Sequence, residues 1–103
     1  MTAQQIDRMV RAFNPSPGAY SFFRNNLLKI WQARVVSGKN SIPGEIVAAS
    51  SEGLCVACGS GVLQVEMLQK SGGKKMNVSD FLAGHPIVPG EAFSSIETAA
   101  KND

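Results

Sequence analysis

From the N-terminus the first apolar side chains fall at Ile6, Met9, Val10 and Phe13, the i, i+3, i+4, i+7 spacing that lines one face of a helix. Thr2 stands at the N-cap position with Gln5 three residues on, the arrangement of a capping box. Asp7 and Arg11 lie one turn apart and suit an ion pair. Together these predict a helix over residues 3–13. Pro15 closes it, because the residue before a proline is pushed out of helical geometry, and "NPSPGAY" carries the chain round a turn.

After Gly18 the period changes. "AYSFFR" is short and aromatic, the asparagines at 25 and 26 suit a turn, and "LLKIWQARVV" is a long β-prone run. "SGKNSIPG" at 37–44 reads as a loop. Three further strands follow, "EIVAAS", "LCVAC" and "VLQVEML", joined by Ser51-Glu52-Gly53 and Gly59-Ser60-Gly61, both short enough for hairpins. In the last of them Leu63, Val65 and Met67 fall on one face and Gln64 and Glu66 on the other, the alternation of a half-buried strand. "QKSGGKKMN" then intervenes as a turn before "NVSDFLAG", where Asn77 can cap a short helix, Asp80 sits in its first turn and Gly84 stands at its end. Pro86 and Pro89 keep the next stretch extended, and "SSIETAAKND" reads as a frayed or weakly helical tail.

One helix, about five strands and a short helix near the C-terminus make a mainly β chain. Short strands with close turns favour a small closed or partly closed barrel, since closure leaves no exposed edge. The 103 residues suffice for one modest core. Residues 1–93 are assigned to a single barrel domain, helix included, and 94–103 to a flexible tail.

Composition changes this picture only slightly. An apolar fraction of 44% with 17% charged residues belongs to a folded chain rather than a disordered one. No apolar run nears the roughly 20 residues of a membrane span, and no basic leader precedes an apolar signal core, so a cytoplasmic location is expected. The net charge of +2 is uneven: residues 1–90 carry nine basic and five acidic side chains, whereas 91–103 carry one basic and three acidic. A mildly basic body permits a polyanionic partner without requiring one.

Cys55 and Cys58 form a C-x-x-C, but residues three apart on a strand face opposite ways, and only His85 could join them, short of the four ligands zinc prefers. No metal is expected, and free strand thiols suit a reducing compartment. "QKSGGKKMN" is not a nucleotide-binding loop: Lys75 follows Gly73-Lys74 where Ser or Thr is needed, and Leu68 occupies the first glycine position. A helix start beside Lys74 and Lys75 still suits an anion, against the plain reading of a solvated turn. His85 lies between Gly84 and Pro86 with no second base nearby, and Glu45, Glu52, Glu66 and Asp80 are scattered singly, so no catalytic group is assigned. The rings of Tyr20, Phe22, Phe23 and Trp31 could stack on bases, but their density in the first two strands assigns them to the core, with Tyr20 the exception. Lys29 and Arg34, charged positions within the longest β run, are expected to point outward.

In this order the segments "IDRMVRAFNPSPGAY", "LLKIWQARVV", "PGEIV", "GLCVACGSGVLQVEMLQ", "GGKKMNVSDFLAGH" and "VPGEAF" resemble the C-terminal domain of the methionyl-tRNA formyltransferase family over nearly all of residues 6–93. Ser16 departs from it, standing where the family often has Trp. The resemblance implies an oligonucleotide-binding-like barrel that follows a Rossmann-like catalytic domain, with "MTAQQ" marking a start at the junction. The whole enzyme would move a formyl group from 10-formyltetrahydrofolate to initiator methionyl-tRNA. The folate site, the catalytic Asn, His and Asp and the choice of initiator would lie in the other domain, leaving this one without cofactor or catalytic residue. Its implied role is to hold the tRNA backbone, a task for lysines and arginines on a rigid surface. The candidates are Lys74 and Lys75 first, then Lys29, Arg34, Lys70, Arg8 and Arg11. A companion barrel of a formyltransferase acting on an amino sugar or another small molecule, or an independent adaptor, would share the fold.

Overall fold

The computed structural model describes residues 2–14, 18–24, 26–38 and 41–94, and the backbone alone of 97–98. Helix α1 spans Ala3–Phe13, and both halves of its capping box form: the Thr2 hydroxyl accepts from the Gln5 amide, and the Gln5 side chain accepts from the Thr2 amide. Its apolar stripe docks Val10, fully buried, against the sheet, a burial worth about 1.5–3 kcal/mol for a side chain of that size. Pro15, Ser16 and Pro17, with the turn predicted there, lie outside the described residues, as do Asn25 and the centre of the 37–44 loop.

Seven strands follow: β1 (Ala19–Phe23), β2 (Asn26–Val36), β3 (Ile46–Ser50), β4 (Gly53–Ala57), β5 (Val62–Lys70), β6 (Lys75–Asn77) and β7 (Glu97–Thr98), with helix α2 (Val78–Gly84) between the last two. The pairing path is β3-β4-β5-β2-β1-β7, antiparallel throughout, and β6 adds to the far half of β5. Five long strands match the predicted number. The two short ones carry too few residues to show an alternation. Where a weakly helical tail is expected, Glu97–Thr98 are extended along β1.

The path of strands is not closed by pairing. Instead residues 90–94 bridge its two flanks. On one side Ile46 donates to the Glu91 carbonyl at 2.7 Å and Phe93 to that of Gly44 at 2.8 Å; on the other, Ser94 donates to Phe22 at 3.0 Å. Phe93 seals the gap against Phe23 in an edge-to-face pair with centroids 5.3 Å apart.

The alternation expected for β5 does not appear in its burial, since Val62 and Gln64 are buried along with Leu63 and Val65. Beyond them Leu68, not Met67, is the fully buried residue. The register between β2 and β5 is irregular at Ile30/Gln32 and Gln32/Ala33, and both strands change phase there: Leu28 and Ile30 point inward before it, Ala33 after it. A bulge exchanges the faces of every later residue, which period-2 reading does not anticipate.

Candidate functional site

The outer face of the sheet carries a lateral row of four residues from four strands. Tyr20 on β1 pairs with Lys29 on β2, Lys29 with Gln69 on β5, and Gln69 with Lys75 on β6. Trp31, two residues beyond Lys29, shares that face. The ammonium of Lys29 lies 4.1 Å from the centre of the Trp31 ring and that of Lys75 4.6 Å from it. The indole N–H donates to Gln69 Oε1 at 2.9 Å, and Gln69 Nε2 donates to the Gly73 carbonyl at 2.9 Å. The ring is therefore tied to the Gly-Gly turn of the β5–β6 hairpin.

Gly18 completes the setting of Lys29. A Cβ there would stand 2.7 Å from Lys29 Cε and 3.0 Å from Tyr20 Cε1, so the missing side chain makes room for the lysine stem. Its φ of 94° also lies where side chains are strained.

Beside Trp31, between α1 and β2, runs a groove lined by Val10, Arg11, Trp31, Gln32, Ala33, Arg34 and Glu66. Arg34 pairs with Glu66 at 3.0 Å, and Gln32 and Gln64 also donate to that carboxylate, at 2.9 and 3.1 Å. Arg11 pairs with Asp7 at 3.2 Å, as the sequence spacing suggests. These exposed pairs hold their arginines weakly, by about 0–1 kcal/mol each.

Of the seven sequence candidates, the structure brings Lys29 and Lys75 together on one ring and sets Arg34 and Arg11 along the adjoining groove. Arg8 is exposed on α1; Lys70 and Lys74 are exposed at the end of the β5–β6 hairpin. Among the described residues none of these last three has an ion pair. Lys75 belongs to β6, with its ammonium over Trp31, and Lys74, adjacent in sequence, precedes the strand. The expected turn leading into a helix is thus a hairpin end. At the start of α2 the Asn77 side chain caps the helix, accepting from the Asp80 amide at 3.0 Å and the Ser79 hydroxyl at 2.9 Å.

Two aromatic assignments change. Phe23 is core, but Phe22 is 46% exposed and Trp31 stands half-buried on the outer face. The signal was present: residues i and i+2 on a strand share a face, so an outward Lys29 carries Trp31 outward with it. Gln69, Gly18 and Arg24 carried no such signal.

Arg24, in the turn between β1 and β2, forms a second charged centre. Its guanidinium grips Glu91 at 2.7 and 2.8 Å and donates to the Pro86 carbonyl at 2.7 Å, while Glu91 also accepts from the Val88 amide. The Arg24 guanidinium and the Val88 amide hold the Glu91 carboxyl below the usual carboxylate range, and the same pairing raises Arg24.

Elsewhere the chemistry is muted. His85 lies flat on Phe81, with centroids 4.4 Å apart, as a packing residue at the end of α2. Both cysteines are free, and burial pushes both thiols up from their ordinary value. Among the described residues no three His, Cys, Asp or Glu side chains come together as a metal site, and no helix is long and apolar enough to cross a membrane. A mostly apolar pocket of about 230 Å³ lies between Ile6, Val56, Leu63 and Phe93.

Comparison with known proteins agrees with this architecture. Residues 1–86 match the family described as formyl transferase, C-terminal domain. A methionyl-tRNA formyltransferase of Nitrosomonas europaea is 47% identical over 95 residues, covering 88% of this chain and 29% of that protein. One of Nitrosomonas eutropha is 48% identical over 85% of the chain and 28% of its own length. A third, of Nitrosospira multiformis, is 46% identical over 94% of the chain and 31% of its own. The chain thus spans about three tenths of the length of these relatives. On the family match and these identities, this chain belongs to the formyl transferase C-terminal domain family.

Proposed function

We propose that this chain is the tRNA-holding domain of a methionyl-tRNA formyltransferase. The observation that carries this reading is the convergence of Lys29 and Lys75 on Trp31, beside a groove bearing Arg11 and Arg34. A cationic surface set on a rigid sheet suits the phosphate backbone, which offers charge and shape without sequence. The whole protein would transfer a formyl group from 10-formyltetrahydrofolate to initiator methionyl-tRNA in the cytoplasm. A catalytic domain outside this chain would then supply the folate site and the reacting groups, and this domain would need neither cofactor nor metal. The names of the relatives favour this over an amino-sugar formyltransferase.

Fluorescence anisotropy of labelled tRNA, titrated with the 103-residue chain at several salt concentrations, tests the reading. Binding should be weak, and log K should fall linearly with log salt. No binding even at low salt would overturn it.

A further inference from the structure

We infer that Trp31 is a positioning residue: its indole holds the ammonium groups of Lys29 and Lys75 as a two-pronged clip for an RNA phosphodiester backbone, and the ring does not serve as a stacking platform for bases. The inference deepens the proposed tRNA-holding role and rests on it.

The geometry supports a clip in three ways. First, both ammonium groups lie over the ring, at 4.1 and 4.6 Å from its centre, and compete with any base for its surface. Second, the ring is immobilised from its edge, through Gln69 to the Gly73 carbonyl, each link 2.9 Å long. The lysines come from β2 and β6, which do not pair with each other but flank β5, so the indole spans the strand between them. Third, the Lys29 stem passes through the hollow left by Gly18, against Tyr20.

A lysine loses rotamer freedom when it grips a phosphate. An indole that gathers the stems beforehand reduces that loss. Unlike a carboxylate, it carries no opposite charge to cancel the attraction for RNA. An arginine fork would instead stack flat and aim at one phosphate; two ammonium groups from different strands offer separate points along a backbone.

The test compares the unmodified chain with Trp31→Leu, Trp31→Phe and the Lys29→Ala/Lys75→Ala double variant, each checked by thermal melting. The probes are an RNA duplex, whose bases are enclosed, and a single-stranded RNA of equal length. Trp31→Leu should weaken duplex and single strand alike, by about fivefold, the order expected for loss of two exposed cation–π contacts. Its salt slope should stay unchanged, because no charge is removed. Trp31→Phe should recover much of the loss. The double lysine variant should flatten the slope by up to about two phosphate equivalents.

A loss confined to single strands would make Trp31 a stacking platform, and no loss on either RNA would make it ordinary surface packing; either result overturns the inference while leaving RNA binding intact. Failure of the unmodified chain to bind either RNA at low salt would instead remove the proposed function. A reading independent of any variant comes from NMR: the ε-methylene protons of both lysines should resonate upfield of ordinary lysine and shift on adding duplex. Ordinary positions would overturn the clip.

Discussion

The two charged centres put cationic side chains to different ends. At the C-terminal clasp, Arg24 spends its guanidinium on both oxygens of Glu91 and on the Pro86 carbonyl. The result is neutral, and it ties the segment that bridges β3 and β1. At the Trp31 clip, two lysines are gathered by a ring that attracts cations without carrying charge. One arrangement pairs charge with charge to fix the fold; the other positions two lysines against an uncharged ring. What differs is the partner: a carboxylate in the first, an aromatic ring in the second.

That contrast can be broken from either side. The largest effect should come from removing the anchor beneath the clasp. Phe93 is buried against Phe23, and Phe93→Ala should lower unfolding free energy by about 3–4 kcal/mol in urea titrations. Affinity of the folded fraction for tRNA should stay unchanged, because Lys29, Trp31, Gln69 and Lys75 come from β2, β5 and β6. A matching loss of affinity would mean that the two centres are coupled.

A smaller, opposite effect is expected along the groove. Glu66 holds Arg34 and two glutamines, and Glu66→Gln should raise tRNA affinity about two- to fivefold by releasing Arg34 and removing a negative charge. An affinity that falls would place Arg34 in a structural role like that of Arg24.

The smallest effect distinguishes the centres by pH. Glu91 has its folded pKa below the ordinary carboxylate range, so its contribution to stability is complete above that range. It is lost as pH falls through the depressed value, where protonation releases Arg24. Acid unfolding of the unmodified chain should therefore be steeper than that of Glu91→Gln, followed by circular dichroism. Equal slopes would mean that the clasp contributes nothing through charge.

Much of the fold was legible in the chain. The Thr2/Gln5 box with the stripe at 6, 9, 10 and 13 placed α1, and Asn77 placed α2, because caps and helical periodicity are local properties. The five long strands were legible for the same reason. The bulge between β2 and β5 was not, and it moved Leu68 into the core in place of Met67. Register depends on how two strands fit each other, and neither strand encodes it alone.

For the candidate site, sequence supplied the residues but not their grouping. It named Lys29, Arg34, Lys74 and Lys75, and the resemblance carried by "GGKKMNVSDFLAGH" gave them a purpose. It paired Lys74 with Lys75, as neighbours in the chain, and assigned Trp31 to the core. Only the tertiary structure separated that pair and set Lys75 beside Lys29 over Trp31, across the width of β5. The physical reason is distance along the chain: caps and turns act over three or four residues. The clip joins positions on strands far apart in sequence, and only the packed sheet brings them together.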